Sequence, residues 1–259
     1  MMARMVLPFV SLALYVAVPG GNVVVAEDFR IDTDVFLEDN AEEPIAETLT
    51  LFSGGLVYDF ILSGSEEVTI FDVDRGNLVL LDTERQMKTS LTTQELLALS
   101  AKMRVLAEGD KLAELFFPEF STQFDVDGMQ LVLTSPRLTY RVAATRPKLA
   151  GGAQRFRQFA DWYARLNAIR PGNMPPFARL ELNAALADRE LVPEEIEREV
   201  VLERRFGNKK SRVRSKHSFV WMLSGTDRKR IERAGRLRAE YSPAVSLSEY
   251  WRIPALASQ

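Results

Sequence analysis

The stretch from Gly55 to Leu91, GLVYDFILSGSEEVTIFDVDRGNLVLLDTERQMKTSL, restricts the fold more than any other part of the chain. Leu56, Tyr58, Phe60 and Leu62 alternate with Val57, Asp59, Ile61 and Ser63, the period of two that belongs to a strand. Ser63-Gly64-Ser65 supplies turn residues before a second β-rich run, Val68 to Val73. Asp74-Arg75-Gly76-Asn77 turns the chain into Leu78 to Asp82, and Met87 to Leu91 adds a short fourth run. Runs joined by turns this short pair antiparallel. They are apolar on much of both faces, which requires a sheet covered on both sides or curved around a filling.

Upstream, Phe29 to Leu37 alternates as an opening strand and Glu47 to Phe52 as its partner, with Glu38 to Glu43 a solvated acidic loop between them. Downstream, Thr92-Thr93-Gln94-Glu95 is a capping-box pattern. It starts a helix whose inward face is Leu96, Leu99, Met103 and Leu106, ending near Gly109. Phe120 to Val126 and Met129 to Leu133 form a hairpin in which Asp127-Gly128 suits a tight type I′ turn. After Ser135-Pro136, Leu138 to Ala143 resumes as a strand.

Pro147 to Gly152 marks the change to helical periodicity. Phe156, Phe159, Tyr163 and Leu166 share one face with Trp162 beside them, and Arg170-Pro171-Gly172 stops that helix. Pro175-Pro176 opens the next, carrying Phe177, Leu180, Ala184 and Ala187. An aromatic stripe of this kind packs against a sheet or walls a ligand cavity. Glu195 to Phe206 and Ser211 to Leu223 then read as a long hairpin around Gly207 to Lys210. In its second strand Val213, Ser215, His217, Phe219 and Trp221 share a face, and Arg212, Arg214 and Lys216 form a basic surface on the other. Thr226 or Asp227 caps a last helix with Ile231, Ala234 and Leu237 inward, and the Pro- and Ser-containing segment after Ser242 reads as a loosely held tail.

The N-terminus carries an address. Arg4, the apolar stretch Met5 to Val18, and Val24-Val25-Ala26 before Glu27 follow the pattern of a secretory signal cleaved after Ala26. This predicts a protein exported to the periplasm or beyond, with 27–259 as one α+β domain, a helical insert near 153–189 and no transmembrane segment once the signal is removed. With no cysteine, neither a disulfide nor a lipid-anchored lipobox is available. Charge is split along the chain: Glu27 to Gln130 holds 7 basic and 23 acidic residues, Arg204 to Gln259 holds 14 basic and 4 acidic. Either the ends neutralise each other or the basic end holds an acidic protein partner.

Catalytic chemistry is sparse. His217 is the only histidine, and no Gly-x-Ser-x-Gly elbow, His-Glu-x-x-His helix or phosphate loop occurs. Asp72-Val73-Asp74 and Asp125-Val126-Asp127-Gly128 begin like calcium loops and complete neither the spacing nor the terminal glutamate. Paired carboxylates such as Glu42-Glu43 and Glu194-Glu195 lie in polar runs. Export argues against a nucleic-acid partner for the basic end. No catalytic residue, metal or cofactor is assigned, and the chain reads as a non-enzymatic protein.

The export signal, the Tyr- and Phe-rich hairpins, the strand pair VTIFDVDRGNLVLLD and the helices after the sheet together resemble periplasmic carriers of the outer-membrane lipoprotein-carrier (LolA-like) type. The likeness covers mainly Thr48 to Leu91, with Phe124 to Val142 as the next strands. It implies an incomplete, strongly curved antiparallel β-barrel lined by apolar side chains and plugged by helices, which holds acyl chains without chemistry. No functional residue carries over, and the insert from Ala153 to Arg189 exceeds what that family carries. The expectation is an α+β protein that binds a lipid or acylated ligand in the cell envelope, with Tyr58, Phe60, Phe71, Leu80 and Trp221 lining the cavity. The alternatives, in order, are an envelope interaction module using the basic C-terminal face and a hydrolase working through a pair of carboxylates.

Overall fold

A computed structural model describes residues 28–251 apart from 38–42, 65, 111, 171, 205–206 and 243. The expected export signal and most of the acidic loop lie outside the described residues. The alternating runs form β1 (Phe29–Leu37), β2 (Ala46–Ser53), β3 (Leu56–Ile61), β4 (Glu67–Asp72), β5 (Asn77–Asp82) and β6 (Met87–Thr92). Helices α1 (Thr93–Glu108) and α2 (Ala113–Phe116) follow, then β7 (Ser121–Asp125), β8 (Gln130–Thr134) and β9 (Leu138–Thr145). The remaining elements are α3 (Gly152–Ala168), α4 (Phe177–Ala187), β10 (Val192–Arg204), β11 (Gly207–Val220), α5 (Gly225–Glu240) and α6 (Leu247–Tyr250).

All eleven strands form one curved, open antiparallel sheet in the order β6-β5-β4-β3-β2-β1-β11-β10-β9-β8-β7. Two meanders therefore meet where β1 pairs with β11. The edge strands β6 and β7 do not pair, and the chain passes from one to the other through α1 and α2. β9 pairs directly with β10, so α3 and α4 are inserted between neighbouring strands.

Pleating sends alternate residues to opposite faces. On the inner face Phe29, Phe52, Val57, Phe71, Leu78 and Leu80 pack beneath Phe156, Phe159 and Leu166 of α3. Phe29 and Phe52 stack with ring centroids 4.0 Å apart, and Phe159 meets Phe52 edge-on at 5.7 Å. Further along the same face Leu131, Leu133, Tyr140, Val142 and Ile196 pack with Leu182 and Leu186 of α4. The outer face of β2–β5 is covered by α5, where Leu51, Tyr58, Phe60, Ile70 and Leu81 meet Ala234, Ile231 and Leu237. Ion pairs fix α5 there: Arg30–Asp227 at 3.1 Å, Arg228–Asp28 at 3.3 Å and Arg233–Glu66 at 2.8 Å. The acidic N-terminal sheet and the basic C-terminal helix thus neutralise each other.

Several local details differ from the sequence reading. The capping box at Thr92 forms, but α1 turns Leu96, Ser100 and Ala107 inward and leaves Leu106 76% exposed. In α4 the inward residues are Ala178, Leu182, Asn183, Leu186 and Ala187, so that of the expected stripe only Ala187 is fully buried, because this helix is apolar around much of its circumference and packing chooses the face. The β7–β8 turn spans four residues, Val126–Met129, and Met129 takes the left-handed conformation (φ 50°). A Cβ at Gly128 would sit 2.5 Å from the Asp125 carboxylate, an exposed side chain that would have to swing aside. Gly207 to Lys210 belong to β11, so the hairpin turns earlier than its glycine suggests. The cap of α5 is Ser224, in a reciprocal pair with Asp227. Of the segment after Ser242, residues 244–251 are held firmly, the rest lying outside the described residues: Val245 N–H donates to Lys88 O at 2.9 Å, Thr89 Oγ1 donates to Val245 O at 2.8 Å, and Tyr250 is fully buried. It covers the β6 edge, which would otherwise offer unpaired backbone.

Candidate functional site

Between the two inner clusters the sheet carries short side chains. Thr33 and Val35 of β1, Ala46, Thr48 and Thr50 of β2, and Val213 and Ser215 of β11 follow one another where the flanking strands place Phe, Leu and Tyr. Sheets and helices pack about 10 Å apart, and threonine and alanine do not fill that gap. The result is a cavity of about 660 Å³ between the sheet, α3, the α3–α4 connection and the start of α4. Phe156, Phe159, Ala160 and Ala164 line it from α3, and Met174, Pro175 and Pro176 from the connection.

Polar groups collect at two ends. At the first, Asp59 of β3 faces Tyr163, Asn167 and Arg170. Thr50 Oγ1 donates to Asp59 Oδ1 at 2.7 Å, while Oδ2 is buried with no hydrogen-bond partner among the described residues. Burial pushes the Asp59 carboxyl up to about 6 against the pull of the Thr50 hydroxyl, and burial beside Asp59 raises the Tyr163 phenol. Arg170 is committed to an ion pair with Glu67.

At the second end lie Arg179 of α4, Arg198 of β10, Tyr140 of β9 and His217 of β11. Arg179 donates to Asn183 Oδ1 at 3.0 Å, and Asn183 Nδ2 donates to Asp161 at 2.8 Å, so an amide separates this guanidinium from the nearest carboxylate. Burial and the charge of Arg198 lower the Arg179 pKa. Arg198 Nε is buried and makes no hydrogen bond among the described residues. His217 is held between two hydroxyls, with Thr33 Oγ1 3.0 Å from Nδ1 and Ser215 Oγ 3.0 Å from Nε2. Burial, reinforced by Arg179, drives its pKa down to about 3, so the ring is neutral at ordinary pH.

The five residues expected to line a cavity lie elsewhere. Tyr58 and Phe60 project from the outer face and pack under α5. Phe71 and Leu80 are on the inner face but buried beneath α3, and Trp221 is half-buried at 5.3 Å from Phe29. None of the five is on the cavity wall. Large apolar side chains fill space, so the void opens where they are missing. The Val213–Ser215–His217 face and the α3 stripe Phe156–Phe159–Tyr163 do reach it. Arg198 and Arg179 were not singled out. A usable signal existed for Arg198, a lone cation between Ile196 and Val200 on an alternating strand face. For Arg179 none did, since a helical arginine normally points to solvent.

The basic surface is paired. Across the β10–β11 register Glu195 faces Lys216, Glu197 faces Arg214 and Glu199 faces Arg212. Glu199 accepts from Lys210 at 3.0 Å and from Arg212 at 2.9 Å. Arg214 and Lys216 lie over the ring of Phe36.

No protein-family model and no curated protein matches this sequence.

Proposed function

We propose that this protein is an exported, non-enzymatic binder of a lipid or lipidated molecule, held in the cavity between the inner sheet face and α3–α4. The observation that carries the reading is the cavity itself: about 660 Å³, within the ~300–1,000 Å³ typical of ligand sites, between the apolar side chains of α3 and a sheet wall that mixes Ile31, Val35, Ile196 and Val213 with hydroxyl groups. The open sheet plugged by helices agrees with the lipoprotein-carrier architecture that the sequence resembles.

The one histidine at the cavity is not poised for catalysis. A general base needs a pKa near the working pH, and His217 lies far below it with threonine, not a carboxylate, behind its Nδ1. The charge ladder across β10 and β11 weighs against a basic docking face, since its cations already face glutamates.

Native mass spectrometry of the mature protein from an exporting host, with organic extraction, tests the proposal. A co-purifying lipid or acylated species, lost in Ala46→Phe, is the expected result. An apo mass that stays unchanged after incubation with mixed phospholipids and fatty acids overturns it.

A further inference from the structure

We infer that the ligand of this cavity is an amphiphile with one oxyanion head, a carboxylate or phosphate, which seats against Arg198 and Arg179 while its chain runs along Ile31, Val35 and Phe156. The inference rests on the binding role proposed above and adds to it a charge and an orientation.

The argument starts from an imbalance. Three guanidinium groups line the cavity, those of Arg170, Arg179 and Arg198, against one lining carboxylate, Asp59. Arg170 is neutralised by Glu67. Among the described residues Arg179 hydrogen-bonds only the Asn183 amide, and Asp161 beyond it also faces Arg157 at 3.6 Å. Arg198 has no ion pair among the described residues, and its Nε is buried without a partner.

Both guanidinium groups are partly buried, Arg198 with its Nε closed off from solvent, and a charged donor withdrawn from water is stabilised by an acceptor. Here two cations converge on Tyr140, and each affects the other or that phenol electrostatically. His217 supplies no counter-charge, being neutral and occupied by Thr33 and Ser215. The missing partner is therefore an anion. Guanidinium forks match carboxylate and phosphate oxygens, and the nearby Val35, Ile196 and Val213 suit a hydrocarbon rather than a free ion. Asp59 at the other end disfavours a second negative charge, which fixes the direction of the chain.

The test is calorimetric titration of the full mature protein with dodecanoate, dodecyl phosphate, dodecanol and inorganic phosphate. The two anionic chains are expected to bind about tenfold tighter than the alcohol, the size of one charge-assisted hydrogen-bond pair. Whichever of them binds better names the head. Arg198→Gln should bring both to the alcohol's affinity and leave dodecanol binding unchanged, which separates lost recognition from lost folding. Equal binding of dodecanol and dodecanoate removes the oxyanion inference and leaves the lipid-binding role standing. Inorganic phosphate binding as tightly as dodecyl phosphate removes the amphiphile. Failure of every alkyl compound to bind removes both.

Discussion

The two halves of the sheet solve the same problem differently. Strands β3–β5 are buried on both faces, under α3 on one side and α5 on the other, and every central position in β4 and β5 is closed to solvent. Strands β9–β11 are covered only on the inner face, and β9 alternates buried with open positions while β10 and β11 face solvent through ladders of opposite charge. Both arrangements suit antiparallel strands. The doubly covered half derives its stability from packing, the singly covered half from one apolar layer plus paired charge. The cavity lies at the seam, where β1, β2 and β11 meet under short side chains.

That contrast breaks most sharply at Phe52. It is 1% exposed, stacked on Phe29 and capped by Phe159. Phe52→Ala is expected to cost about 3–5 kcal/mol in denaturant unfolding, whereas Val35→Ala on the cavity wall should cost about 1 kcal/mol or less. Equal losses at the two sites would mean that the seam is packed as tightly as the core.

An intermediate effect separates the two polar ends by pH. The folded His217 pKa of about 3 lies below the ordinary 6.5, so as pH falls through that window the unfolded chain takes a proton which the folded protein refuses, and stability declines. Asp59 acts oppositely: at about 6 against 3.8, its folded form takes the proton first, and stability rises as pH falls through that range. Relative to the parent, His217→Gln should flatten the acid-side loss of stability and Asp59→Asn should steepen it. Parallel stability–pH curves for the parent and both variants would remove the burial assigned to these groups.

The smallest change belongs to the outer ladder. Glu199 sits low against the sheet, with its pKa depressed by the Arg212 and Lys210 hydrogen bonds, yet both partners reach solvent. Glu199→Gln is expected to cost about 1 kcal/mol or less and to cost less in high salt. A larger, salt-independent loss would show that the ladder contributes more to the singly covered half than packing does.

Strand positions were legible because alternation is a local signal: β1 begins and ends where FRIDTDVFL does, and the four runs from Leu56 to Leu91 each became a strand. Which face looks inward was not. Tyr58 and Phe71 are equally apolar, and only the pairing of Tyr58 with Ile70 and of Val57 with Phe71 sends them to opposite sides. Helix rotation failed for a related reason, since Leu106 and Ala107 are both acceptable inward residues until α3 is in place. The cavity left the faintest trace, because it is made of residues too small to attract notice. Thr48 and Ala46 announce nothing in a list of hydrophobic runs.

The meeting of β1 with β11 also sets an order of events in folding. Thr33 and His217 touch although they lie 184 positions apart in the chain. Pairings between distant segments form slowly, because the intervening chain must close before the contacts reward it. For most of that time β1 is an open edge, a template for misplaced strands, and the cavity has only one of its walls. The arrival of β11 ends the exposure and completes the compartment in a single step, so a chain still able to aggregate is also one still unable to hold cargo.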